Sequence, residues 1–195
     1  MSHQPLAVSR RSGRTKLRFA WYAIAASAML AAAPLLSVPR VPFPVPAVLG
    51  AQETGLPIGS KAPSAVVETL DGKPFDIGQY IGKTPVLIQF WATWCPLCKE
   101  LEPAMAAAAK KYAGKIRFVG VAVSVNQSPE RVKLYAEKHA LPLEVYFDRK
   151  GAAADAYDAA ATSYVVVIDK AGTVVYTGLG GSQDLDAAVK KGIGG

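Results

Sequence analysis

The sequence is poor in the residues that build metal clusters and disulfide scaffolds. Its 195 residues include two cysteines, Cys95 and Cys98, and two histidines, His3 and His139. Two cysteines cannot form a disulfide-dense scaffold or a four-cysteine zinc or iron–sulfur site. Half of the residues are apolar (51%), which is enough to bury one sizeable core without several disulfides. The sequence therefore predicts one folded domain and indicates neither a metal nor a cofactor.

The main part of the chain also lacks a charge excess, although the whole chain carries a formal net charge of +7. Six of the 22 basic residues and none of the 15 acidic residues lie in residues 1–40. Residues 41–195 therefore hold 16 basic and 15 acidic side chains. Residues 41–195 are nearly neutral and have no excess of basic residues to bind a phosphate backbone, which argues against nucleic acid as a partner.

Residues 19–39 contain no charged side chain. A helix of about 20 residues spans roughly 30 Å, the thickness of the hydrocarbon core of a membrane. Five basic residues precede this run, so the positive-inside rule predicts that the N-terminus stays in the cytoplasm. We expect a cytoplasmic basic segment at 1–18, followed at 19–39 by a single transmembrane anchor or a cleaved signal segment.

The anchored and the cleaved form both deliver the rest of the chain to the outer side of the cytoplasmic membrane. The remaining alternative is a helical hairpin in the cytosol. A proline-rich linker follows at 40–57, where alternating prolines favour an extended spacer. The folded domain is expected at 58–195.

Short apolar runs alternate with helix-like stretches in this domain, which predicts an α/β fold with a mixed central sheet flanked by helices. Ser128 is expected to cap a helix that has Pro129 in its first position, and Ser182 is expected to cap the last helix. The predicted strands are 65–70, 73–77, 84–90, 116–125, 143–147, 164–169 and 173–177. The predicted helices are 95–112, 129–140 and 184–190, with a helical turn within 151–160.

The pattern that carries chemistry is Trp94-Cys95-Pro96-Leu97-Cys98, directly after a predicted buried strand and at the start of a helix. Two thiols separated by two residues can close a small ring where the backbone turns, and Pro96 fits the first turn of a helix. The positive end of the helix lowers the pKa of a thiol at that position. We therefore expect Cys95 to be the exposed nucleophile and Cys98 the more covered resolving thiol.

Other uses of the two cysteines need residues that are missing. Zinc needs four ligands, and His139 is the one imidazole in the predicted domain. Covalent haem needs histidine directly after the second cysteine, where Lys99 stands. Two buried, unreactive cysteines remain as the structural alternative.

The segment F-W-A-T-W-C-P-L-C-K at 90–99 resembles the thioredoxin superfamily, and most closely its membrane-anchored, extracytoplasmic TlpA/ResA-like thiol–disulfide oxidoreductases. The resemblance covers 58–193 and includes D-G-K at 71–73, I-G-K-T-P-V-L-I-Q-F at 81–90 and I-D-K-A-G at 168–172. It implies a thioredoxin-like fold and a redox disulfide between Cys95 and Cys98. It also implies oxidised protein thiols as substrates, for example in cytochrome c maturation, and a separate membrane thiol donor as the source of electrons.

Two positions depart from the superfamily pattern. Gln89 stands where cytosolic thioredoxins have a buried aspartate that helps the resolving thiol to lose its proton, and an amide cannot act as a base. Ser163, after Thr162, stands where the superfamily has a cis-proline facing the dithiol. We expect a trans peptide there, because a cis bond before a residue other than proline costs about 2.5–4 kcal/mol.

The rim of the substrate site is expected to include Trp94, Pro96, Thr162 and Ser163. The hydroxyl of Ser163 either donates a hydrogen bond to a Cys95 thiolate or only fills the place of the proline.

The function implied by the resemblance is the reduction of protein disulfides, and three other functions remain as alternatives to it. A disulfide-forming oxidant would use the same two cysteines. A peroxidase of the peroxiredoxin type needs proline and threonine or serine where Ile88 and Ala92 stand. A copper-binding assembly protein on the same fold would use both cysteines and His139, which we expect to face solvent, and such proteins usually have three residues between the cysteines.

Overall fold

The structure is a computed structural model that describes residues 55–194. It contains seven strands: β1 (Val66–Thr69), β2 (Pro74–Asp76), β3 (Val86–Trp91), β4 (Arg117–Val123), β5 (Glu144–Asp148), β6 (Tyr164–Ile168) and β7 (Val174–Leu179). The helices are α1 (Pro96–Lys111), α2 (Pro129–Lys138), α3 (Ala152–Ala156) and α4 (Leu185–Ile193), with a 3₁₀ turn at Ile77–Gln79.

All seven strands form one mixed sheet in the order β2-β1-β5-β4-β3-β6-β7. The three central strands β3, β4 and β5 are parallel, and the outer pairings are antiparallel. The predicted α/β architecture with a mixed sheet is therefore confirmed. The parallel centre matters for the site, because the carboxyl ends of β3 and β4 meet at one edge of the sheet.

Strand β3 is buried along its whole length, which explains its continuous apolar sequence. Ile88 and Phe90 face a core that includes α3 and β1. Leu87, on the other face, packs against α1 and α4. A third cluster around Trp91 and both cysteines is closed by Val132 of α2. The strand thus holds its carboxyl end rigidly between two helical layers.

Most element ends differ from the sequence prediction by one to three residues, and two of the differences change an assignment. The strand predicted to reach residue 125 ends at Val123, and Val125 is exposed. The last helix is capped by Asp184 rather than Ser182, because the Asp184 carboxylate accepts a hydrogen bond from the Ala187 N–H at 2.9 Å. The cap at Ser128 with Pro129 after it is as predicted.

The expected segments 1–18 and 19–39 and most of the expected linker lie outside the described residues. Within residues 55–194, no helix is long and apolar enough to cross a membrane.

Candidate functional site

The turn from β3 into α1 brings the two cysteines together. Cys95 is the N-cap residue of α1, with extended backbone, and Pro96 occupies the first turn. The two cysteines form a disulfide with a Cα–Cα distance of 5.3 Å. The backbone N–H of Cys98 donates a hydrogen bond to Sγ of Cys95 at 3.1 Å. The Cys95 sulfur therefore lies at the positive end of the helix and receives one of its free N–H groups, which favours a thiolate there.

The expected difference in exposure between the two thiols is wrong for this disulfide state. Cys95 is 2% exposed and Cys98 is 3% exposed. The neighbouring side chains of Trp94, Pro96 and Leu97 are the exposed ones. Trp94 and Pro96 flank Cys95 in the sequence, and Leu97 directly precedes Cys98.

The loop before Cys95 is fixed by the loop that follows β4. The backbone N–H of Thr93 donates to Oε1 of Gln127 at 2.9 Å, and Nε2 of the same amide donates to the carbonyl of Val123. Nε1 of Trp94 donates to the carbonyl of Val125 at 2.8 Å. Gln127 and Val125 were not predicted as site residues. Both follow β4 in the sequence, and this position could have indicated the contact, since parallel neighbouring strands bring the loops at their carboxyl ends together.

Trp94 and Thr162, two of the predicted rim residues, line one groove. The groove has a volume of about 430 Å³ and is completed mainly by apolar residues, among them Val125 and residues 159–161. Trp94 is 40% exposed. The groove is thus an open, mostly apolar surface that Trp94, the residue before Cys95, helps to form.

Ser163 is buried and trans, as predicted, but its backbone has a φ of +64°. Its N–H donates to the carbonyl of Phe90 at 2.8 Å, and its carbonyl accepts from the N–H of Gly180 at 3.1 Å. Nε2 of Gln183 donates to the same carbonyl at 3.0 Å. The Ser163 hydroxyl donates to the Gly180 carbonyl at 2.9 Å. In this disulfide state the hydroxyl therefore joins the start of β6 to the end of β7, and its alternative role towards a Cys95 thiolate stays a prediction.

A small cavity lies next to Cys98. It is lined by Gln89 and Trp91 of β3 and by Glu102 of α1. Both carboxylate oxygens of Glu102 contact α2 or the residue that follows it. Oε1 accepts a hydrogen bond from the Tyr135 hydroxyl at 2.7 Å. Oε2 lies 3.2 Å from Nδ1 of His139, whose ring stacks on Tyr135 with centroids 4.0 Å apart. Burial and the hydrogen bond to Glu102 raise the pKa of Tyr135, so the phenol stays protonated as a donor.

His139 is exposed, as expected, and is engaged by Glu102. Within residues 55–194 no three or more histidine, cysteine, aspartate or glutamate side chains come together in a group that could hold a metal ion. The structure therefore does not assemble the two-cysteine, one-histidine copper site.

Residues 57–191 match the sequence model of the redoxin family. The thioredoxin-like protein YneN of Bacillus subtilis is 33% identical over 124 residues, covering 63% of this chain and 72% of that protein. The thiol-disulfide oxidoreductase ResA of Geobacillus thermodenitrificans is 30% identical over 136 residues, covering 69% of this chain and 77% of that protein.

Among solved structures, a thiol:disulfide interchange protein of the thioredoxin family from Chlorobium tepidum matches with a TM-score of 0.59 and 28% identity. The match covers 71% of this chain and 99% of that chain.

Proposed function

The chain belongs to the redoxin family and is a thiol–disulfide oxidoreductase with a thioredoxin-like fold, and we propose that it reduces disulfides of protein substrates outside the cytoplasmic membrane. The observation that carries the proposed chemistry is the Cys95–Cys98 disulfide at the N-terminus of α1. A dithiol that closes into a disulfide at this place can give two electrons to a substrate disulfide without any cofactor.

The reaction has two exchange steps. The Cys95 thiolate attacks one sulfur of the substrate disulfide, which forms a mixed disulfide and releases the other substrate sulfur as a thiolate that takes up a proton. The Cys98 thiolate then attacks Sγ of Cys95, which closes the Cys95–Cys98 bond and releases the second substrate thiol. The substrate disulfide is reduced by two electrons, and the enzyme dithiol is oxidised by two.

The order of the two cysteines is supported by their different surroundings. Cys95 caps α1 and accepts the N–H of Cys98, and the exposed Trp94 directly precedes it in the sequence. Cys98 lies inside the first turn and lines a small cavity with Gln89. A nucleophile needs a stabilised thiolate and an approach for the substrate, and a resolving thiol needs only to lie close to the nucleophile.

The groove beside Trp94 supports a polypeptide as the substrate. It is mostly apolar, and it reaches from Val125 to Thr162 over a volume of about 430 Å³. An apolar side chain next to the substrate cysteine would lose its hydration there, which adds binding free energy that a small disulfide cannot provide.

We place the domain on the outer side of the cytoplasmic membrane because of the uncharged run at 19–39 and the basic residues before it. In this proposal a single helix anchors the chain, and a separate membrane thiol donor reduces the Cys95–Cys98 disulfide after each turnover. Oxidised protein thiols in cytochrome c maturation are the proposed substrates.

A trapping experiment with the full chain tests the proposed chemistry. Cys98→Ser keeps the nucleophile and removes the resolving thiol, so it should accumulate a mixed disulfide with protein substrates that reductant releases. Cys95→Ser is the matched control and should trap nothing. Equal trapping by both variants, or by neither, would contradict the assigned roles.

The location is tested separately by labelling the reduced cysteines with a membrane-impermeant maleimide in spheroplasts or protoplasts. We expect labelling in intact preparations. Labelling that appears only after lysis would place the domain inside.

A further inference from the structure

The cavity beneath Cys98 has a volume of about 10 Å³, which is room for about one water molecule. Gln89, Trp91, Cys98 and Glu102 line it together with apolar residues, among them Met105 and Leu143. Cys98 must lose its proton before it can attack the mixed disulfide. The Gln89 amide cannot accept that proton. Among the residues that line this cavity, Glu102 alone carries a carboxylate.

Glu102 lies four residues after Cys98 on α1, so the two side chains share one face of the helix, one turn apart. The carboxylate accepts a hydrogen bond from the Tyr135 hydroxyl of α2 at 2.7 Å, and it lies 3.2 Å from Nδ1 of His139, the residue that follows α2. Its direction is therefore fixed by tertiary packing rather than left to an exposed rotamer. On α1 itself, Lys99 lies three residues before Glu102 and is exposed.

Trp91 supplies a second, independent observation. Its side chain is buried (2% exposed), and Nε1 has no hydrogen-bond partner within residues 55–194. A buried indole N–H without a partner costs free energy, so a polar group in the cavity that Trp91 lines would be stabilised by this donor. A water molecule in this cavity would be shared by Cys98 and Glu102, because both residues line it.

The far end of the cluster opens to solvent. The side chain of His139 is 32% exposed and that of Glu102 is 27% exposed. The cluster therefore leads from the buried Cys98 thiol through Glu102 to an imidazole in contact with water. Imidazole exchanges protons readily near neutral pH.

We propose that Glu102 accepts the proton of the Cys98 thiol in the resolving step and passes it to solvent beside His139, which replaces the base that Gln89 cannot be. This role rests on the proposed dithiol function. The proton leaves Sγ of Cys98 and reaches Glu102 through the cavity. The resulting Cys98 thiolate attacks Sγ of Cys95, the substrate sulfur leaves with the electron pair of the broken bond, and Glu102 returns to the carboxylate by losing the proton to water.

The test separates the two exchange steps in the reduced full chain. An aromatic disulfide reagent whose released thiol absorbs visible light gives one equivalent when Cys95 attacks and a second when Cys98 resolves. In Glu102→Gln we expect the first phase to keep its rate and the second to slow about tenfold or more at neutral pH. The defect should shrink towards zero above about pH 9, where a thiol ionises without a base.

Glu100→Gln is the matched control. It removes the same charge from the same helix, but the Glu100 side chain lies against Gly181. It should leave both phases unchanged. Glu102→Asp keeps a carboxylate and should recover part of the second-phase rate, which a loss of structure would not allow.

Three results would overturn the proposal. They are an unchanged second phase in Glu102→Gln, a defect that is equal at all pH values, and an equal defect in Glu100→Gln. A wild-type chain that releases one equivalent only would instead overturn the proposed dithiol function, and with it the role of Glu102.

Discussion

The backbone N–H of Ser163 donates a hydrogen bond to the carbonyl of Phe90 over 2.8 Å, and Ser163 does so in the left-handed region, at a φ of +64°. Phe90 lies five residues before Cys95 on β3. Ser163 thus ties the start of β6 to the strand that leads into the dithiol. Proline, the superfamily residue at this position, has no N–H and is restricted to φ near −65°.

Ser163→Pro is therefore expected to destabilise the protein, even though it restores the superfamily pattern. The loss of the buried hydrogen bond and the incompatible backbone should cost at least about 2 kcal/mol in the free energy of unfolding. Urea unfolding of wild type and variant measures this difference in the free energy of unfolding. Ser163→Gly is the control and should stay within about 1 kcal/mol, because relief of the positive φ offsets the lost hydroxyl. If Ser163→Pro is as stable as wild type, the contact between the start of β6 and β3 does not depend on the Ser163 N–H or on its positive φ.

Trp94→Ala is expected to separate protein substrates from small disulfides. The indole lines the groove, is 40% exposed and is held by the Val125 carbonyl, so its removal takes away contact area but little core packing. We expect kcat/KM to fall about tenfold for a protein disulfide and less than about twofold for a small disulfide. Steady-state kinetics with both substrates measures it. An equal fall for both would mean that Trp94 acts on the sulfur chemistry itself.

Gly120→Ala is expected to disturb the packing under the site. Gly120 pairs with Gln89 across β3 and β4, and a Cβ there would lie 2.9 Å from Nε1 of Trp91 and 3.0 Å from Cδ1 of Leu143. Overpacking of this kind costs about 1–3 kcal/mol in stability. The shift of the urea denaturation midpoint between wild type and Gly120→Ala measures this loss of stability.

A double-mutant cycle with Trp91→Phe identifies the cause of that cost. Removing the indole nitrogen should recover part of the stability lost in Gly120→Ala. Strict additivity of the two changes would show that the indole does not cause the crowding.

Asp186 joins the C-terminal end of α1 to α4. Hydrogen bonds from Lys111, Lys190 and Tyr112 hold the pKa of this carboxyl well below its usual range. Because the folded-state pKa is lowered, the stabilisation is present above about pH 4 and is lost as the pH falls below that value. Asp186→Asn should therefore have a lower urea midpoint than wild type at neutral pH, and this difference should disappear in acid.

The carboxylate is exposed, so about 1 M salt should also weaken the effect of Asp186→Asn. Asp71→Asn is the control, since Asp71 has only a distant partner in Lys133 at 3.8 Å. An Asp186→Asn midpoint that does not change with pH or salt relative to wild type would contradict an electrostatic role.

Local signals predicted much of this fold. The continuous apolar run of β3 indicated a buried strand, and Pro96 and Pro129 marked the first turns of α1 and α2. The two-residue spacing of the cysteines predicted their disulfide. Each of these signals depends on neighbours in the sequence, which is why they could be recognised without the structure.

What could not be predicted depends on contacts between distant segments. The Ser163 hydroxyl is taken by Gly180, which lies 17 residues away. Glu102 meets Tyr135 and His139 only because α2 packs beside α1, and their separations of 33 and 37 residues carry no pattern. The equal burial of the two thiols likewise follows from Trp91 and the other side chains packed around them.

The reduction potential of the Cys95/Cys98 couple tests the proposed direction of electron transfer most directly. The full chain is equilibrated against glutathione or thioredoxin standards, and the dithiol and disulfide forms are quantified. The account predicts a value towards about −270 mV, in the range of a reductant. A value near about −120 mV would make the protein a disulfide-forming oxidant and contradict the assignment as a reductase.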